Sequence, residues 1–220
     1  MSLLIISASP RVKINSNTDK ILNEFKKGYD KGGNTSKIVY LANRKNWDNI
    51  RRKFYNSKNV LIGIPLYFEC IPGIMVEFLE TLDKKKDNTR LGFILHGGFP
   101  EASQFRCGEE YLRNLASMLG CKYCGTLIRG GTFGVSFMKG KYQEKLVYPF
   151  YEMGLLYGKY NYFRKDIVNK FALREYYSKT HIFLDNFVNP FRKVVFSLFS
   201  LTLGCHSRLS TKPYQKYVIK

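Results

Sequence analysis

LLIISASPRVKINSNT, residues 3–18, opens with four aliphatic side chains and then empties into hydroxyls, amides, two cations and a proline. A short continuous apolar run closed by a polar turn is the pattern of a strand buried on both faces. From Asp19 to Lys31, the apolar side chains Ile21, Leu22, Phe25 and Tyr29 recur at helical spacing until Lys31-Gly32-Gly33 stops them. The polar stretch between strand and helix has two readings. Ser16 or Thr18 caps the helix. Alternatively, Ser9, Arg11, Asn15, Ser16, Asn17 and Thr18 surround a dianion at the helix's unpaired amides. The loop carries neither Gly-Lys-Ser/Thr nor the Gly-x-Gly-x-x-Gly pattern of dinucleotide folds.

The same unit recurs down the chain. Residues 36–41 and 58–64 read as further strands, the latter halted by Pro65, and residues 47–55 as a polar helix between them. Pro72 suits a first helical turn, with Ile74, Phe78 and Leu82 on one face. Residues 90–95 form a fourth strand broken by His96-Gly97-Gly98, and residues 104–120 a helix with Tyr111, Leu112, Leu115, Met118 and Leu119 apolar. A fifth strand follows at 123–128, then a helix at 143–157. Five strands alternating with helices predict an α/β fold with right-handed crossovers and a parallel sheet covered on both faces. The economical order is 2-1-3-4-5, a doubly wound sheet whose ligand crevice lies at the carboxyl ends of the strands. The loops after the first, third and fourth strands should therefore meet. They are SASPRVKINSNT, PLYFECIPG and HGGFPEASQ, and they hold the unusual chemistry: two aromatics in Tyr67 and Phe68, and glycines at Gly97 and Gly98 that let backbone amides approach a ligand.

Beyond residue 158 the pattern changes. Residues 158–220 hold twelve Lys or Arg against three acids and show no strand–helix alternation. Two domains follow: residues 1–157 as the sheet domain and residues 158–220 as a basic, aromatic-rich helical extension, with helices expected at 163–177 and 181–203. The whole chain of 220 residues has a formal net charge of +19. That field attracts polyanions and anionic surfaces, although a lysine- and asparagine-rich composition also follows from an AT-rich genome. Neither zinc-finger spacing nor an RNP-like aromatic pattern accompanies it, so no specific nucleic acid is expected. No run approaches the ~18–20 apolar residues that cross a bilayer. The segment from Val194 to Gly204 is too short to span and offers at most a peripheral membrane or partner contact.

Five cysteines without a secretory leader read as a reduced, cytoplasmic chain. Cys121-Lys122-Tyr123-Cys124 lacks a second ligand pair for tetrahedral zinc, so it reads as two packed cysteines, and no metal site is expected. His181 and His206 read as structural. His96 is the one histidine at the expected rim.

The strand followed by Ser-x-Ser-Pro-Arg, a short insert and Ser-Asn-Thr, together with Pro-Leu-Tyr-Phe-x-x-x-Pro-Gly, resembles the flavodoxin-like NAD(P)H-dependent FMN reductase and quinone reductase family over residues 1–157. The resemblance implies a flavodoxin-like fold and FMN as cofactor. It implies that Ser9, Arg11, Ser16, Asn17 and Thr18 hold the FMN phosphate. Pro65, Leu66, Tyr67 and Phe68 would line the isoalloxazine ring, and His96, Gly97, Gly98 and Phe99 its pyrimidine side. It further implies NAD(P)H as co-substrate, a small-molecule electron acceptor such as a quinone, flavin, nitro or azo compound or metal ion, and a homodimer. The Val12-Lys13-Ile14 insert and the basic tail depart from the family pattern. A flavodoxin-type electron carrier, and a membrane- or partner-binding protein on a flavin scaffold, stay open as alternatives.

Overall fold

The computed structural model describes residues 1–11, 16–67 and 70–180, with isolated positions between 182 and 201. Five strands, β1 (Ser2–Ser7), β2 (Thr35–Tyr40), β3 (Asn59–Leu66), β4 (Arg90–Gly97) and β5 (Lys122–Arg129), form one parallel sheet in the order β2-β1-β3-β4-β5. This is the flavodoxin-like order expected from the sequence. The aliphatic run Leu3–Ile6 is buried because β1 sits between two neighbours, in register with Ser36–Val39 on one side and Val60–Ile62 on the other.

The helices are α1 (Asn17–Lys31), α2 (Trp47–Asn56), α3 (Gly73–Leu79), α4 (Ser103–Met118), α5 (Lys141–Tyr160) and α6 (Lys165–Phe171). Strand alternation assigns two of them to opposite faces. A side chain at Gly92 of β4 would meet Tyr157 of α5, whereas Leu95, three residues on, lies where a side chain at Gly108 of α4 would fall. The pairing of α1 with α5 is close enough to require glycine. A Cβ at Gly28 would overlap the Tyr151 carbonyl, and one at Gly154 the Phe25 carbonyl. Around that crossing Phe25, Tyr157 and Phe163 form an aromatic cluster, with ring centroids 5.8 Å apart for Phe25–Tyr157 and 4.5 Å for Tyr157–Phe163. α2 and α3 meet edge to face through Trp47 and Phe78.

Lys85 lies in the run Asp83-Lys84-Lys85-Lys86-Asp87, yet it is buried. Its ammonium donates to the carbonyls of Phe54, Tyr55 and Ser57 at 2.7, 2.9 and 3.1 Å. It thereby caps the end of α2, sharing the Phe54 carbonyl with the Ser57 amide and the Ser57 carbonyl with the Thr89 hydroxyl.

Two compact units divide the chain, Met1–Tyr176 and Tyr177–Lys220. The boundary expected at residue 157 falls inside α5, and residues 158–176 belong with the sheet. Phe163, Val168, Phe171 and Ala172 are buried in its core, and the Phe163 amide donates to the Cys124 carbonyl at 2.8 Å. The helix expected at 163–177 is shorter, ending at Phe171. In the second unit, the helix expected at 181–203 and the Val194–Gly204 segment lie largely outside the described residues. Tyr111 and Met118 of α4, grouped above with its apolar stripe, face solvent, and Leu82 lies past the end of α3. No described helix is long and apolar enough to cross a membrane.

Candidate functional site

The carboxyl ends of β1, β3 and β4 are neighbours in the sheet, so the three expected loops do converge. A chain of hydrogen bonds through one buried histidine ties the start of α1, after β1, and the end of β4 to the turn after β5. His96, 3% exposed at the end of β4, has Nε2 2.9 Å from Thr18 Oγ1 and Nδ1 2.9 Å from Thr132 Oγ1. The Thr132 hydroxyl also lies 2.9 Å from the Gly97 carbonyl, which can only accept. Thr132 therefore gives its proton to Gly97 and accepts from Nδ1–H. That leaves Nε2 bare, to accept from Thr18. The imidazole is neutral with one defined tautomer. Burial alone pushes its pKa down to about 3.

Asn17, the first residue of α1, makes the second tie. Its amide nitrogen donates to the carbonyls of Thr132 and Phe133 at 3.0 and 3.3 Å, and its oxygen accepts from the Ser136 hydroxyl. Asn17 and Thr18 thus both bind the 3-10 turn Thr132–Ser136 that follows β5, Thr18 through His96. This turn is the part of the rim that sequence reasoning missed. Its available signal was Gly130-Gly131-Thr132-Phe133, which repeats the glycine pair of His96-Gly97-Gly98-Phe99 after the neighbouring strand. The two glycine pairs nest: the Gly131 amide donates to the Phe99 carbonyl at 2.9 Å, and a Cβ at Gly130 would overlap that carbonyl.

Ser16 caps α1, its hydroxyl accepting from the Asp19 amide at 3.1 Å. Ser9, two residues past β1, is buried and accepts from the Arg11 amide at 3.2 Å, while Arg11 is exposed. Asp19 is buried in the first turn of α1 and pairs with the phenol of Tyr40 at the end of β2. Desolvation, then the Asp19 charge and hydrogen bond, push Tyr40 up to about 12.

On the β3 side, Pro65 and Leu66 stand in register with His96 and Gly97. Tyr67 and Cys70 exchange backbone hydrogen bonds of 3.0 Å in both directions, which turns the chain back at the rim with Tyr67 part-exposed. Gly97 has no room for a side chain without pressing on Phe105, at 3.0 Å, whereas Gly98 is open to solvent. Phe99 and Phe133 are 51% and 50% exposed, and Phe133 packs against Phe137 with centroids 5.1 Å apart. Phe68 and Asn15 lie outside the described residues.

The structure thus brings Ser16, Asn17, Thr18, Pro65, Leu66, His96 and Gly97 together, with Ser9, Tyr67, Gly98 and Phe99 on the same edge. Cys121 and Cys124 are buried, and burial pushes the Cys121 thiol up to about 11. Among the described residues no group of three or more His, Cys, Asp or Glu could hold a metal.

No family model matches this sequence, and no curated protein does. Solved structures share its fold. An FMN-dependent NADH-azoreductase from Bacillus anthracis str. Ames Ancestor, in complex with FMN, is 14% identical with a TM-score of 0.54, covering 72% of this chain and 98% of that one. The NAD(P)H:quinone oxidoreductase from Methanothermobacter marburgensis is 12% identical with a TM-score of 0.54, covering 74% and 97%. An NADH:FMN oxidoreductase in its apo form is 15% identical with a TM-score of 0.53, covering 70% and 88%. At these identities the likeness defines a class of fold, the flavodoxin-like α/β sheet.

Proposed function

We propose that this chain is an FMN-dependent NAD(P)H oxidoreductase that passes electrons through bound flavin to a quinone, a flavin, a nitro or azo compound, or a metal ion. The observation that carries the reading is the convergence of the ends of β1, β3 and β4 at one rim, where Thr18, His96 and Thr132 tie the β1 and β4 ends to the turn after β5. Support comes from the fold shared with an azoreductase and a quinone oxidoreductase.

The residues present suit FMN, with a division of labour. The first amides of α1 have no acceptor within the helix; the buried Ser16 hydroxyl caps that end, and the buried Ser9 hydroxyl lies on the loop that leads into it. These groups, with Arg11, hold the phosphate. Asn17 and Thr18 contribute their backbone amides, since their side chains are engaged with Thr132, Phe133, Ser136 and His96. Pro65, Leu66, Tyr67 and Phe68 line one side of the ring. Gly97 and Gly98 admit its polar edge to backbone groups, and Phe99 sheds water from it.

His96 acts by position. A neutral, internally bonded imidazole fixes the rim without placing a charge beside the cofactor. FMN, when bound, supplies the electron transfer itself, while the protein sets geometry and access. The reading includes a homodimer, whose second copy would cover the half-exposed Phe99 and Phe133; sedimentation equilibrium measures it.

Anaerobic mixing of the FMN-loaded protein with NADH or NADPH in a stopped-flow cuvette tests the activity. Bleaching of the flavin absorbance within seconds is expected, followed by reoxidation on adding a quinone. A flavin that stays oxidised under either nucleotide marks a carrier and overturns the reductase reading.

A further inference from the structure

The far edge of the sheet holds a second hollow. It has a volume of about 510 Å³ and opens at the amino ends of β4 and β5, where Arg90, Lys122, Tyr123, Tyr160 and Tyr162 line it. Seven residue steps along β4 separate Arg90 from Gly97, about 23 Å at roughly 3.3 Å per step. The hollow is therefore distinct from the candidate flavin rim.

Its shape is built by the chain. The β4–β5 register passes from Leu91↔Tyr123 to Phe93↔Thr126, so β5 carries one extra residue there. A bulge of this kind bends the strand and interrupts the ladder. Gly125 in the bulge has φ +93°, and a Cβ on it would press on Phe163 at 2.9 Å. Asn161, at φ +61°, turns the chain out of α5 and across this edge.

The charge is one-sided. Arg90 and Lys122 stand directly opposite each other in register, and no carboxylate lines the hollow. Neither cation forms an ion pair with any described carboxylate. Like charges facing across neighbouring strands repel, and both also bear on the Cys124 thiol beneath them. Lys159 stands over the Tyr160 ring at 5.3 Å. Arg164 also lies over that ring, at 5.5 Å, but is paired with Asp166. Two unpaired cations match a dianion, and the tyrosine rings that line the hollow offer apolar surface to a planar group.

We propose that this hollow is a second ligand site for an aromatic phosphomonoester, the class that includes nucleoside monophosphates. The phosphate sits between Arg90 and Lys122, and the planar group lies against Tyr160 and Tyr162. A phosphomonoester carries about −1.5 to −2 charges at neutral pH, which balances the pair. The volume falls within the ~300–1,000 Å³ of small-molecule sites.

Isothermal titration calorimetry of the full chain with phenyl phosphate tests this. The wild type is expected to show a saturable site that the double variant Arg90→Gln, Lys122→Gln weakens at least ~10-fold, since each charge-assisted hydrogen bond contributes on that scale. Lys122→Gln alone removes an exposed side chain and serves if the double variant does not fold; about a tenfold loss is expected from it too. Inorganic phosphate is expected to bind at least ~5-fold more weakly than phenyl phosphate, because stacking on the tyrosines is missing. Variants that titrate like the wild type, or no saturation by about 10 mM, overturn the site. Equal affinity for inorganic phosphate overturns the aromatic ligand class. Phenyl phosphate also suits the phosphate position proposed at the rim, so the hollow is read as the saturable component that the variants lose, the substitutions leaving the carboxyl-end loops untouched.

Discussion

Replacing His96 by leucine should produce a stability loss that shrinks as the solution is acidified. At pH 7.5 the variant loses the bonds to Thr18 and Thr132 and leaves at least one hydroxyl unsatisfied in a buried place. That is a loss of about 2–4 kcal/mol, at roughly 1–3 kcal/mol for each unsatisfied group. The pH dependence follows from proton binding. An unfolded chain protonates His96 below its ordinary pKa of 6.5, whereas the folded protein resists protonation until about 3. The unfolded state therefore binds more protons throughout that window. The wild type loses stability from this source as pH falls from 6.5, at about 1.4 kcal/mol per pH unit. The leucine variant has no such group. Carboxylates act alike in both proteins and cancel in the difference. Between pH 7.5 and pH 4.5 the gap between wild type and variant should close by about 2–3 kcal/mol, the slope applied over the two units below 6.5. Urea titrations followed by far-UV circular dichroism at the two pH values measure it. A gap that stays constant would mean that His96 titrates normally, and the hydrogen-bonded chain with its fixed tautomer would have to be abandoned.

Other substitutions probe separate links. Gly154→Ala should destabilise the fold by about 1–3 kcal/mol through overpacking against the Phe25 carbonyl, read as a lower urea midpoint. Lys85→Met should destabilise by about 1–3 kcal/mol, because the Tyr55 carbonyl loses its donor, while the Phe54 and Ser57 carbonyls keep the Ser57 amide and the Thr89 hydroxyl; thermal unfolding monitors it. Asn17→Ala should speed amide exchange across residues 132–136 and weaken FMN binding about tenfold, since the turn after β5 loses its tie to α1. Hydrogen exchange by mass spectrometry and a fluorescence titration with FMN read the two effects, and unaltered exchange would show that the turn stands without Asn17.

The strands were legible because parallel strands buried on both faces write themselves as runs without polar residues: Leu3–Ile6, Val60–Ile64 and Leu91–Leu95 all lie in the core. Their order followed from topology, and the convergence of Ser16–Thr18 with Pro65 and His96 followed from the order. The roles within that rim were not legible. Thr18, His96 and Thr132 are separated by 78 and 36 residues, and no periodicity links a threonine after one strand to a histidine at the end of another. A polar loop reads as a set of ligands until the structure shows which side chains are engaged with each other, as Asn17 and Thr18 are. Lys85 reads as part of a solvated charge run, because only tertiary packing brings the end of α2 onto it. Residues 158–176 lack strand–helix alternation, so their attachment through Phe163 and Phe171 to β5 and α5 had no sequence signature.

We propose that the rim at the carboxyl ends of β1, β3 and β4 holds FMN. The absorption spectrum of the purified full-length protein, recorded before and after denaturation and after incubation with FMN, tests it most directly. A yellow protein, or one made yellow by added FMN, is expected, with flavin bands that shift to those of free FMN when the chain is unfolded. A colourless protein that excess FMN cannot reconstitute would contradict it.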